Sequence, residues 1–231
     1  MTIPMYLAQT PWEFTQNSHE NTNPAWMSCR FSPSHTGLIH IPQQLPENTL
    51  LILDDMTPPQ GHDADLIRST LSEIIGKFRC SGILLDFQRP DRPESLQIIE
   101  KLLSLPCPVI VSDIYAKELD APVFLPPIPP CITPEEYCIP WKNRKIYLEI
   151  AIQTQTLTLT EHGCQISDCN YKDHRELPHF HPNLCCHYGL CLSDSQATFT
   201  LYRSKEDNIS LLSSLEQLGV KGCVGLYQDF K

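Results

Sequence analysis

The chain has 231 residues, 41% of them hydrophobic and 19% charged, and a formal net charge of −10. That balance describes a globular protein with a substantial core and excludes a disordered one. The acidic balance disfavours nucleic acid or an anionic membrane surface as a partner, and no run approaches the ~20 apolar residues of a membrane span.

In chain order, the first element is a strand over residues 4–9 (PMYLAQ). The start, MTIPMYLAQTPWEF, has neither a basic stretch nor an apolar h-region, so no secretory signal is expected and the cytoplasm is the expected location. Further strands are predicted at 36–42 (TGLIHIP), 49–55 (TLLILDD), 81–87 (SGILLDF), 108–113 (PVIVSD), 122–127 (PVFLPP) and 145–152 (KIYLEIAI). The last is at 222–230 (GCVGLYQDF). Most are unbroken apolar runs, as expected of parallel strands covered on both faces.

Apolar residues at three- and four-residue spacing predict helices over 63–78, 93–105 and 205–218. Pro93 suits a first helical turn, and Gly219 the position just past a last one. Alternation of strand and helix, with right-handed crossovers, favours a small, irregular (β/α) TIM-like barrel over an open sheet. The rhythm breaks at 153–203. There TQTLTLTEHGCQISD (154–168) and HYGLCLSDSQATFTLYRS (187–204) read as hairpins turning at His162-Gly163 and near Asp194-Ser195. The reading is one barrel-like domain, 1–231, with an antiparallel insertion before the last helix and strand. PPIPP, within the proline-rich stretch 122–140, reads as a stiff extended connection.

Active-site groups of such a barrel belong at the C-terminal ends of its strands. Those ends carry Asp54, Asp55, Asp86 and Asp113, with Glu149 inside its strand and Tyr227, Gln228 and Asp229 closing the last one. Clustered acids can set an acid apart from a base by perturbing each other. Asp at a strand end also caps the turn or helix that follows, which competes for Asp55 and Asp113.

SGILLDFQ is similar to the fourth-strand motif D-G-x-D-x-D-x-E of family 18 glycoside hydrolases, the chitinase-like barrels. Gly82 matches its glycine and Asp86 its last aspartate, which in that family orients the substrate N-acetyl group. The first aspartate becomes Ser81, the middle one Leu84, the aromatic Phe87, and the glutamate that protonates the leaving oxygen becomes Gln88. The last strand also resembles that family's, with Tyr227 near its sugar-stacking tryptophan. An amide cannot protonate a glycosidic oxygen as a carboxylic acid does, so the resemblance implies a barrel without ordinary chitinase chemistry.

Residues 162–191 hold His162, His174, His179, His181 and His187 with Cys164, Cys169, Cys185, Cys186 and Cys191. Such a concentration invites a zinc reading. No C-x-x-C occurs, however, and His179 and His181 alone would be a two-ligand chelate. His187 and Tyr188 could instead be polar pocket residues. The eleven cysteines form an odd number in a chain without an export signal, and Cys80, Cys107 and Cys223 sit at strand entrances, so reduced thiols acting as small apolar residues are expected. With nine glycines and no G-x-G-x-x-G, Walker, G-x-S-x-G or H-E-x-x-H pattern, no cofactor is expected.

The expected function is a glycosidase-like barrel with a degenerate site. Asp54, Asp55, Asp86, Gln88 and Glu149 form the catalytic candidates; Tyr227, Gln228, Asp113, His187 and Tyr188 are the substrate-binding ones. The ligand would be a small molecule, a carbohydrate or polyol. The alternatives are an active hydrolase built on the strand-end carboxylates, with or without a metal on a loop histidine, and a structural or interaction module.

Overall fold

The computed structural model describes residues 3–17, 22–34, 36–90, 92–169 and 177–231. Eight parallel strands close into a barrel: β1 (Met5–Gln9), β2 (Asn23–Phe31), β4 (Leu50–Asp54), β5 (Gly82–Asp86), β6 (Val109–Ser112), β7 (Val123–Leu125), β8 (Ile146–Ile150) and β14 (Gly222–Leu226). The short β3 (Leu38–Ile39) pairs antiparallel with the end of β2. Closure comes from β1, which pairs in parallel with both β14 and β2.

Each strand side chain points alternately inward and outward. Inward, Ala8, Ala25, Leu50, Ile52, Leu84, Ile110, Phe124 and Val224 fill the barrel. Outward, residues such as Leu51, Leu53, Ile83, Leu85 and Val111 meet the helical layer. That layer is α1 (Pro11–Gln16), α2 (Ala64–Phe78), α3 (Pro93–Leu102), α4 (Asp113–Ala116), α5 (Pro134–Cys138), α6 (Lys205–Gln217) and α7 (Tyr227–Phe230). Four of the seven span six residues or fewer, which is what makes the barrel small and irregular.

The remaining strands, β9 (Gln153–Thr160), β10 (Gly163–Asp168), β11 (His179–His181), β12 (Cys186–Ser193) and β13 (Gln196–Arg203), form a separate antiparallel sheet in the order β10-β9-β13-β12-β11. It lies between β8 and α6 in the chain. The two predicted hairpins are its β9–β10 and β12–β13 pairs; β11 is an unforeseen edge strand. Arg203, 1% exposed, ties this sheet to the barrel's β7–α5 connection. Its guanidinium donates to the carbonyls of Cys185 (3.2 Å), Leu184 (2.7 Å) and Ile128 and to Gln153 Oε1 (3.4 Å).

Two strand expectations need correction. Residues 36–42 do not supply a barrel strand; only Leu38–Ile39 pair there, as an antiparallel appendage. The second barrel strand is Asn23–Phe31, whose sequence NPAWMSCRF is broken by Asn, Pro, Ser and Arg and does not read as an apolar run. Closure covers its apolar positions on both sides and overrides the weak local signal. The last strand stops at Leu226, and Tyr227–Phe230 turn into α7, whose Phe230 ring lies over Gly225. A side chain at Gly225 would come within 2.7 Å of that ring, so the turn needs glycine there. PPIPP is non-helical, as expected, and α5 starts after it on a Thr133–Glu136 capping box.

Candidate functional site at the C-terminal mouth of the barrel

Strand alternation decides what reaches the mouth. On β4, Leu50 and Ile52 point inward, so Asp54 does too; on β5, Leu84 points inward, so Asp86 does too. Asp54 and Asp86 are register partners on adjacent strands, which sets their backbones side by side. Phe87 turns outward, fully buried among Phe31 (ring centroids 5.7 Å) and Tyr115 (6.4 Å). With Phe87 anchored, Gln88 returns to the inner side, where its Nε2 donates to Asp86 Oδ1. Across the barrel, Tyr147 and then Glu149 of β8 face in.

These groups line one cavity of about 320 Å³, floored by Ala8, Ile52, Leu84, Phe124 and Val224. That volume lies at the small end of ligand sites. Its polar wall is Arg30, Asp54, Asp55, Asp86, Gln88, Arg89 and Glu149. The structure therefore brings together the five catalytic candidates, Asp54, Asp55, Asp86, Gln88 and Glu149.

The two adjacent aspartates divide their work. Asp54 accepts from Arg30 (3.1 Å) and from the Met56 amide (3.0 Å). Asp55, 3% exposed, accepts the backbone N–H groups of Gln88 (3.0 Å) and Arg89 (3.2 Å). It thereby holds the loop that carries the amide. Arg30 was missed from the sequence because its strand was missed, and a local irregularity places it. Between Trp26 and Cys29 the pairing of β2 with β4 slips by one residue, which reverses the parity. Cys29 and Phe31 then face the helices, and Arg30 faces Asp54.

Burial and like charge act together on the acids. Asp86 is pushed above the usual carboxylate range by desolvation and by Asp54 and Asp55, against the opposing hydrogen bond from Gln88. Glu149 is raised by desolvation, then by Asp86 and Asp229. Both shifts favour the neutral, proton-donating form.

Other candidates lie elsewhere. Tyr227 and Gln228 belong to α7, and Tyr227 donates to Asn17 Oδ1 (2.8 Å); the side chains of the last strand that line the cavity are Val224 and Leu226. Inward parity on β14 runs Gly222, Val224, Leu226, so Tyr227 falls out of step. Asp113 opens α4 outside the cavity lining. His187 and Tyr188 lie on β12 of the antiparallel sheet, where His187 Nδ1 meets Asp207 Oδ2 (3.1 Å) and Tyr188 packs on His179 (5.1 Å). Leu184 N–H donates to His181 Nδ1 (3.3 Å). Among the described residues no group of three or more His, Cys, Asp or Glu is placed to hold a metal ion, and His174 lies outside those residues.

No protein-family model matches the chain, and no curated protein matches it in sequence. Solved structures do match in fold. The family 18 N-acetylglucosaminidase of Paenibacillus barengoltzii superposes with a TM-score of 0.60 at 8% identity, over 96% of this chain and 94% of that one. The family 18 chitinase of Cycas revoluta, solved in complex with (GlcNAc)3, gives 0.58 at 9% identity, over 98% and 95%. The spore cortex-lytic enzyme SleL of Bacillus megaterium gives 0.54 at 10%, over 99% and 72%. The chain has the chitinase-like barrel fold. Within that fold, SGILLDFQ lies on the fourth strand of the barrel and GCVGL on the eighth, the positions the motif resemblance implies.

Proposed function

We propose that this chitinase-like barrel binds an N-acetylated sugar or a related polyol in its mouth cavity and does not hydrolyse it by the ordinary family 18 route. One observation carries the reading. The motif's acid position holds Gln88, and its amide is turned into the cavity and hydrogen-bonded to Asp86. A glutamine in that place supplies a donor and an acceptor but no transferable proton. Asp86, whose carboxyl burial shifts toward the neutral form against the hydrogen bond from Gln88, would hydrogen-bond to an N-acetyl group beside it. The (GlcNAc)3 complex of the Cycas chitinase supports the ligand class. The eleven free thiols support a reducing compartment, in keeping with the cytoplasm.

Calorimetric titration with (GlcNAc)3 tests the binding, beside a turnover assay on an aryl N-acetylglucosaminide. The expected result is binding to the native protein, loss of binding in Asp86→Ala, and no turnover. Absence of binding to the native protein would sink the proposal. Gln88→Glu restores the missing acid, and gained hydrolysis would confirm that residue 88 sits where the leaving oxygen needs its proton.

The raised carboxyl of Glu149 favours a second reading, in which β8 supplies the acid that β5 lacks. In that case the native protein turns over the glycoside and Glu149→Gln abolishes the turnover.

A further inference from the structure

Directly paired residues of an antiparallel sheet share a face. Across β10, β9, β13 and β12 one row runs Cys164, Leu159, Ala197, Leu192. The next runs Ile166, Leu157, Phe199, Leu190. A third runs Asp168, Gln155, Leu201, Tyr188 and on to His179. Apart from Asp168 at one corner, these rows carry no formal charge in a chain of net charge −10. The alternate residues, Thr156, Thr158, Thr198 and Thr200 among them, form the opposite face, on which Leu177 packs at Gly189.

Among the described residues the leucine-rich face is covered at its inner end, where Cys186 Sγ donates to Pro130 O (3.5 Å), and a cavity of about 350 Å³ runs from Cys131, His181 and Leu184 across Tyr188 and Leu201 to Leu157, Leu159 and Phe199. At its outer end Leu159, Ile166, Leu190 and Leu192 stand 40%, 52%, 48% and 71% exposed. A contiguous apolar patch of this kind marks an interaction site on a soluble protein.

We infer that this face is the contact of a symmetric homodimer, the two copies packing sheet on sheet through their leucine rows. Three features select a second copy. Sheet faces pack on sheet faces about 10 Å apart without special shaping, so the surface is complementary to itself. Five strands about 4.8 Å apart, of eight, six, three, eight and eight residues, give about 500 Å² per copy, or about 1,000 Å² in all, the size of a specific but readily reversible interface. A two-fold axis running across the strands also turns the exposed Leu192 of each copy toward the inner end of the other copy's face, where Tyr188 and Leu201 wall the cavity, so that the contact is made twice. The near absence of charge there lets two acidic chains meet without opposing carboxylates, and their remaining repulsion is screened by salt.

Sedimentation equilibrium of the full chain tests the association. The expected result is twice the chain mass at high protein concentration, reverting to one on dilution and favoured by added salt. Leu192→Asp, on a side chain that is mostly in water, should give the monomer mass with unchanged thermal unfolding. Ile209→Asp, on an exposed α6 position outside the leucine rows, should leave the dimer intact. The native thiols report the face directly. Cys164 belongs to the leucine rows and Cys191, paired with Thr198, to the threonine face, and both are exposed. Concentrating the protein should slow thiol labelling of Cys164 in step with the dimer fraction and leave Cys191 unchanged. A native chain that is monomeric at every concentration overturns the inference. So does a dimer that survives Leu192→Asp, or one in which Cys164 and Cys191 react alike.

Discussion

In the barrel, β4, β5 and β6 are sealed on both sides, by the interior cluster around Leu50, Ile52 and Leu84 and by helices α2 and α3 against Leu51, Leu53 and Leu85. Among the described residues the antiparallel sheet leaves the outer ends of its faces exposed. The difference follows from connectivity. A parallel strand needs a crossover, and the crossover supplies a cover; hairpins return directly and bring none. The barrel gathers Arg30, Asp54, Asp86, Gln88 and Glu149 toward its C-terminal mouth, where they converge on one cavity. The open region spreads its uncovered apolar residues over a face. A small-molecule site belongs to the first and an association surface to the second.

That contrast can be broken first where the two regions are joined. Arg203→Ala leaves the carbonyls of Leu184, Cys185 and Ile128 without their buried donor. Urea unfolding should show a loss of roughly 3–4 kcal/mol. Arg203→Lys should restore only part of it, because one ammonium cannot reach acceptors arranged for a planar fork. A loss below 1 kcal/mol would mean that the sheet is held by apolar packing instead.

Within the sealed region, Leu85→Ala removes a side chain with no exposed surface and should cost about 3 kcal/mol. The same truncation in the open region, Leu192→Ala, should stay within about 0.5 kcal/mol in dilute protein. Equal losses at the two positions would contradict the contrast itself.

A smaller effect sharpens the account of the rim. Glu149 has its folded-state pKa raised, so between the unfolded and the folded value the native chain holds the extra proton. Stability from this group is therefore complete below the unfolded value and declines as pH rises through the folded one. Glu149→Gln should raise the melting temperature at neutral pH and lose that advantage in acid. A variant that melts lower at neutral pH would show that the carboxylate is stabilised there by a partner.

Much of the barrel was legible in the residues. Seven of its eight strands read as apolar runs, because a strand covered on both faces needs apolar residues at every position. Inward parity could be counted from those runs, and so Asp54, Asp86 and Gln88 could be placed at the rim. The eighth strand, Asn23–Phe31, could not, since its polar and proline residues are tolerated only once neighbours close around it. Arg30 depended on a one-residue slip that no local pattern announces. Tyr227 was misplaced because GLYQDF reads as continuing strand until Phe230 folds back over Gly225.

By itself, then, the sequence determined the barrel class, the antiparallel insertion and the amide at residue 88, all properties of local pattern and residue type. Only the tertiary structure decided that Asp54, Asp86, Gln88 and Glu149 share one cavity, that Asp55 serves the loop beside it, and that the leucines of the insertion line up on one face. Those are distances between residues far apart in the chain, and they exist only once the barrel closes and the sheets take their places.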